Sequence, residues 1–312
     1  LIYRGHSRDV TAVAWSPDGN RLASGAYDRT IQVWNATDGS HVFTYQKHRF
    51  DAATALAWSP DGKRIASAVG VGVYIWDAND GGHELAYRDH GPAVDIFSTV
   101  AWSPDGRHLA CASGYPSYQG IVYVLDALSG SDVFLYRGYE GPVSLQAIAW
   151  SPDGKRIASG GSDGTVQVWD AFTGANRFIY KGHVNFRYDF IHSGSITAVA
   201  WSPDGTRIAS AGIDSTVQIW HALGKGGHVL VYRGHPLDKS DGLQGFPRGV
   251  RWSSDRKRLA SIGQDLQIWD AANGQTLSTY PGAKSPLAWS PDDKRLAFAS
   301  DDQTVQIWEI RL

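Results

Sequence analysis

One phrase returns seven times along this chain. "AWSPDG" or a near copy places a Trp at 15, 58, 102, 150, 201, 252 and 289, at spacings of 37 to 51 residues. A second phrase follows each copy: "TIQVWN", "VYIWD", "VYVLD", "TVQVWD", "TVQIWH", "LQIWD" and "TVQIWE", closing on Trp34, Trp76, Leu125, Trp169, Trp220, Trp269 and Trp308. A third carries Tyr and usually His three residues on: Tyr3–His6, Tyr45–His48, Tyr87–His90, Tyr136–Tyr139, Tyr180–His183 and Tyr232–His235. A unit this short cannot bury its own apolar face, so neighbouring units must stack. All thirteen Trp residues fall in the first two phrases, which leaves none to be assigned a separate role.

Each unit reads as four short strands. Val10-Thr11-Ala12-Val13-Ala14-Trp15 alternates with period two. "SPDG" then turns the chain, with Pro presetting φ and Gly accepting the left-handed region. "RLASG" or "RIASG" forms the second strand and the β-branched "TVQVW" the third. Turns of the "DAFTG" kind lead to a fourth, such as Phe178-Ile179-Tyr180. No amphipathic helix of useful length is present, and Pro and Gly fall at the turns rather than inside strands. The expected class is all-β.

These phrases resemble the WD-repeat family over the whole chain, and seven copies in register make the resemblance specific. It implies a seven-bladed β-propeller of four-stranded antiparallel blades, a single domain over 1–312. The approximate blades are 7–47, 48–89, 90–138, 139–182, 183–234, 235–281 and 282–312. The seventh has only three strands of its own, so strand 1–4 is expected to close it and remove two open sheet edges. The chain has no Met and starts within a motif; an excerpt of a longer polypeptide is expected. The "AWSPDGKRIAS" wording is similar to bacterial WD-repeat domains of multidomain signalling proteins, joined to kinase or NTPase domains.

Charge and composition narrow the partners. Net charge is −2 and pI about 6.6, without the basic face that phosphate contacts on nucleic acid require. No apolar run is long enough to cross a bilayer and no signal peptide is visible. One Cys rules out an internal disulfide. No P-loop or kinase signature appears, and no cofactor or metal site is expected. A cytoplasmic monomer is the expectation.

The resemblance also implies a buried hydrogen-bonded set in each blade: His, Ser, Asp and Trp. Motif match gives His6, Ser24, Asp28 and Trp34 in blade 1, and His183, Ser210, Asp214 and Trp220 in blade 5. Blade 4 has Ser159, Asp163 and Trp169, with Tyr139 in place of His. Blade 2 keeps His48, Ser67 and Trp76 but lacks the Asp. Blade 3 has Cys111 for Ser and Leu125 for Trp, blade 6 has a shortened turn that moves Asp265, and blade 7 has Phe298 for Ser. A Ser/His/Asp set can also be read as catalytic. Its repetition around the ring favours structure, with about 1 kcal/mol from each bond. Gly160-Gly161-Ser162-Asp163-Gly164 fits G-x-S-x-G, but it belongs to a strand-to-strand turn and not to a nucleophile elbow. "DANDG" at 77–81 lacks the later ligands of a calcium loop, and Asn35-Ala36-Thr37 is a common chance sequon. Cys111 is read as core.

Function is expected where the copies depart from one another. The turns after the first and third strands are short and constant, and the resemblance places them on the bottom face. The departures fall on the other two connections, on the top face. "VNFRYDFIHSGS" carries Phe186, Arg187, Tyr188, Phe190 and His192. "PLDKSDGLQGFPRG" carries Phe246 and Arg248. Phe50, Phe97, Tyr115 and Tyr118 complete an aromatic set with polar neighbours, the composition of a partner-binding surface. Arg251 replaces the Ala of "AWSPDG" and is expected either to enter the central channel and bind an anion or carbonyl, or to pair with a carboxylate. The leading reading is a non-catalytic scaffold that holds a peptide or partner domain on the top face. The alternative is a small-ligand or hydrolytic propeller using Asp51, Asp95, Asp189, Asp238 and Asp241 with His192.

Overall fold

The computed structural model describes residues 1–46, 51–88, 96–115, 119–183, 195–222, 227–235, 245–300 and 302–310. They form seven four-stranded antiparallel sheets, six of them with their strands in simple chain order from the inside out. Blade 1 is typical: Val10–Trp15, Arg21–Ala26, Ile31–Asn35 and His41–Tyr45. The seventh sheet runs Lys284–Trp289, Arg295–Ala299, Val305–Glu309 and then Ile2–Tyr3. Ile2 pairs with Gln306 and Tyr3 with Val305. The Leu1 terminal nitrogen donates to the Ile307 carbonyl at 3.0 Å, and the Ile307 amide donates to the Leu1 carbonyl at 2.8 Å. The ring is closed by residues 302 to 306 positions apart in sequence, as the three-stranded last unit requires.

The "SPDG" turn is built by its polar residues. Ser16 Oγ donates to Asp18 Oδ1 at 2.5 Å and accepts from the Arg21 amide at 2.9 Å. Gly19 sits at φ 70°, where an L side chain is disfavoured. Blades 6 and 7 hold the same left-handed position with Arg256 and Asp293, at φ 63° and 57°.

Blades are joined to one another by three repeated contacts. Near the bottom, the Trp ending the first strand of six blades donates its indole N–H to the carbonyl before the preceding blade's Trp, as in Trp58 to Ala14 and Trp102 to Ala57, both 3.0 Å. Trp15 closes the circle onto Ala288 at 3.0 Å. The Arg opening a second strand lies over the next blade's Trp, Arg21 on Trp58 at 4.8 Å and Arg295 on Trp15 at 4.8 Å. On the outside, the fourth-strand Tyr of one blade stacks on the third-strand Trp of the next. Tyr3 lies on Trp34 at 4.2 Å, Tyr136 on Trp169 at 4.0 Å and Tyr180 on Trp220 at 4.4 Å. Each of these Tyr hydroxyls also donates to a Gln two residues before that Trp, at 2.6 to 2.7 Å. The core is therefore a set of apolar layers between blades, each made by residues of two neighbouring units.

Two interfaces depart from this plan. Between blades 2 and 3, Leu125 stands for Trp and Tyr123 for Gln. Phe97 fills the space so created, fully buried, with Tyr123 at 5.5 Å and Tyr87 at 6.0 Å. Phe97 is thus not a top-face anchor. It holds the inward position that Val10, Ala53, Leu145 and Ile196 hold elsewhere, all buried. Between blades 6 and 7, Tyr280 meets Trp308 tilted by 54° at 5.3 Å, and among the described residues the buried Trp289 N–H has no partner. The carbonyl it would be expected to reach is that of Arg251, where other blades have Ala.

Candidate functional site

The polar sets decide whether Ser, His and Asp are available for chemistry. In blade 5, His183 Nε2 lies 2.8 Å from Ser210 Oγ and Nδ1 lies 3.0 Å from Asp214 Oδ2. The Trp220 indole donates to the same Ser210 oxygen at 3.1 Å. Blade 1 repeats this with His6, Ser24, Asp28 and Trp34 at 2.8 to 3.0 Å. The bonds are consistent with one tautomer: Ser accepts from Trp and donates to Nε2, while Nδ1–H donates to Asp. Ser24, Ser210 and His183 have no exposed surface, so no substrate reaches these hydroxyls. Burial lowers the His6 pKa against the opposing pull of Asp28, which favours the neutral ring this pattern needs.

The irregular blades are satisfied differently. Tyr139 takes the His place in blade 4, its hydroxyl 2.9 Å from Ser159 Oγ. In blade 6, His235 Nε2 lies 2.7 Å from Ser261 Oγ, and Trp269 donates to the same oxygen at 3.0 Å. Cys111 is buried in blade 3 with its sulfur 3.9 Å from the Tyr123 carbonyl. Phe298 replaces polar contact with an edge-on ring 4.7 Å from Trp308. Gly160 and Gly161 end a strand, and Ser162 opens the turn to the next one, so G-x-S-x-G makes no elbow here.

His235 gives blade 6 a pH signature. Burial pulls its pKa down to about 4, with Asp265 pulling the other way. Unfolded His titrates near 6.5. Between those values the unfolded chain holds the extra proton, so stability is complete above pH 6.5 and falls as pH drops towards 4. The expected loss from this one residue is about 3 kcal/mol. Urea melts at pH 7 and pH 4.5 measure it, and H235Q is expected to flatten the difference. An unaltered pH slope in H235Q rules His235 out as its source.

The channel mouth is the other concentration of polar groups. A cavity of about 220 Å³ lies where the first strands begin, lined by residues near the start of each of them. Four residues before the Trp, five blades have Thr or Ser, and in four of them the hydroxyl sits between two carbonyls. Thr11 Oγ1 lies 3.1 Å from Gly25 O and 2.5 Å from Ala53 O; Thr54, Ser98 and Thr197 repeat the bridge. One carbonyl belongs to the same blade and one to the next, so these hydroxyls tie the ring together at its mouth. The Thr or Ser at this place in the repeat phrase is the sequence signal for that bridge.

Arg248 occupies that hydroxyl position in blade 6. It is exposed, and its guanidinium lies 4.7 Å over the Phe246 ring. Arg251 lines the same cavity and donates Nη1–H to the Val250 carbonyl at 2.9 Å. The channel wall desolvates it and pulls its pKa down. Its side chain still meets solvent within the channel, and a guanidinium keeps its charge there. Among the described residues no carboxylate pairs with either arginine. The structure thus brings together Phe246, Arg248 and Arg251 of the residues expected at the top face, and removes Phe97. Phe50, Tyr118, Phe186, Arg187, Tyr188, Phe190 and His192 lie outside the described residues, as do Asp95, Asp189, Asp238 and Asp241. Tyr115 ends a blade 3 strand paired with Ile96; its side chain also lies outside them. Asp51 is exposed. Among the described residues no cluster of His, Cys, Asp or Glu is arranged to hold a metal ion.

Comparison with known proteins agrees with this geometry. The family described as "WD domain, G-beta repeat" matches residues 1–35, 39–77, 84–126, 130–170, 178–221 and 274–309. The chain is 30% identical over 129 residues to "Protein HIR1" of Cryptococcus neoformans, covering 38% of this chain and 15% of that protein. It is 29% identical over 195 residues to "Protein hir1" of Schizosaccharomyces pombe, 54% of this chain and 20% of that one. Over 126 residues it is 29% identical to "THO complex subunit 3" of Arabidopsis thaliana, 38% of each. The aligned stretches thus span well under two thirds of these relatives, which are all eukaryotic. With the family match covering well over half the chain, and seven four-stranded sheets closed into a ring by the Ile2–Tyr3 strand, the chain belongs to the WD domain, G-beta repeat family.

Proposed function

We propose that this propeller is a non-catalytic scaffold that holds a peptide or partner domain on its top face, around the channel mouth. One observation carries the reading: the repeated residues are consumed by contacts within and between blades, while Arg248, stacked on Phe246, and Arg251 break the repeat at the mouth. An aromatic ring with an arginine over it is a rigid, partly apolar anchor with a polar edge, the chemistry of interface hot spots. A relative named as a complex subunit supports the same reading. The hydrolytic alternative has no supporting geometry among the described residues, where the charges on the cavity wall are arginines. The bacterial kinase- or NTPase-linked parent rests on repeat wording alone.

Capture of binding partners from an extract tests the proposal. Three baits are compared: the intact propeller, F246A/R248A, and F186A/Y188A/F190A. A fourth, L128A, changes an exposed residue in a turn between third and fourth strands, on the opposite face. Both top-face variants are expected to lose the captured set by about tenfold or more, the size of one hot spot, and L128A is expected to keep it. Equal capture by all four baits refutes the choice of face.

A further inference from the structure

Among the described residues, the two arginines at the channel mouth lack what arginines in a protein wall normally have, an anionic partner. In the other six units the place of Arg251 is held by Ala14, Ala57, Ala101, Ala149, Ala200 and Ala288, so the repeat itself requires nothing charged there. In four blades the place of Arg248 is held by a hydroxyl bridging two carbonyls, a bond the arginine does not reproduce. Of the five N–H donors of Arg251, one is directed to the Val250 carbonyl. The rest of the described cavity wall is neutral: Thr, Ser, Gln146 and small apolar residues. Two positive charges on one small cavity, without a carboxylate among the described residues, repel each other unless an anion lies between them.

We propose that the channel mouth is an oxyanion site, in which Arg248 and Arg251 together receive a phosphate or carboxylate group. The cavity, at about 220 Å³, admits one such group with some water and not a folded element. Guanidinium groups bind these oxygens through paired, charge-assisted hydrogen bonds. The same oxyanion chemistry can come from a free anion or from an acidic or phosphorylated side chain of the partner. The second source rests on the scaffold reading above, and the first does not.

Isothermal titration of the whole chain with sodium phosphate, against sodium chloride at matched ionic strength, tests the site directly. The intact chain is expected to bind phosphate with a saturable heat that chloride does not give. R251A is expected to weaken that binding by about tenfold or more, the value of a lost charge-assisted pair, and R248A likewise. R251A restores the residue of the other six units, so it is expected to fold, and its melting curve checks this. Phosphate heats that match chloride, or that persist unchanged in R251A and R248A, overturn the proposal. Adding phosphate to the capture experiment then separates the sources. Loss of the captured set in phosphate but not chloride places the oxyanion on the partner; an unchanged set, with phosphate still bound, assigns the site to a free anion. Failure of the scaffold reading looks different: top-face variants capture as the intact chain does, while the intact chain still binds phosphate and R251A still weakens that binding.

Discussion

Removing residues 1–3 is expected to lower the melting temperature by roughly 10 °C or more and to promote aggregation on heating. The segment is short, but it makes several contacts that nothing else can replace. Tyr3 is nearly buried, stacks on Trp34 at 4.2 Å and donates to Gln32 at 2.6 Å. Truncating a buried aromatic costs about 3–5 kcal/mol, and about 1 kcal/mol shifts the melting point of a large domain by about 2–4 °C. The deletion also uncovers the Val305–Glu309 strand as an open edge. Y3A separates the two effects, because it loses the stack and keeps the backbone pairing. Y280A is the internal comparison: Tyr280 is only half-buried and meets Trp308 tilted, so its loss is expected to be markedly smaller. A truncated chain that melts within about 2 °C of the intact one would show that the ring does not depend on this closure.

The second large effect is W220A, with an expected loss of about 3–5 kcal/mol. Trp220 has no exposed surface, stacks on Tyr180 and donates to Ser210. Its removal opens a void between blades 4 and 5 and breaks the polar set at the same time. W220F divides these terms. It keeps much of the apolar contact but removes the N–H that Ser210 accepts, for an expected loss of about 1–3 kcal/mol. W308A is expected to cost less than W220A, since Trp308 is half-exposed and its N–H stays within its own strand, 3.1 Å from Gln306 Oε1. Chemical denaturation of the three variants gives the order directly. Equal losses for W220A and W308A would mean that the repeated stack is not what holds neighbouring blades.

Much of this was legible because the repeat states it locally. The Trp spacing sets the number of sheets, "SPDG" sets the turns, and alternation sets the strands. The missing fourth strand of the last unit and the unclaimed Tyr3 pointed to each other across the whole chain. The sets His6-Ser24-Asp28-Trp34 and His183-Ser210-Asp214-Trp220 were readable for the same reason: each lies in one repeat and recurs at similar offsets. Phe97 was misread because its fate depends on Leu125 and Tyr123, two residues on other strands that leave room for it. An aromatic at the start of an inner strand carries no local mark of whether it turns to solvent or between blades.

What the sequence determined by itself is the phase of the repeat, and with it the class, the blade count and the polar sets, because those interactions close within one unit or between neighbouring units. What only the tertiary structure decided is how units meet: which Tyr stacks on which Trp, which hydroxyl bridges to the next blade, and that Arg248 and Arg251 line one cavity. Those contacts exist only once strands far apart in the chain are brought round one axis, so their energy depends on ring geometry and not on any local pattern. The positive charge at the mouth is a property of that geometry, carried by a chain whose overall charge is slightly negative.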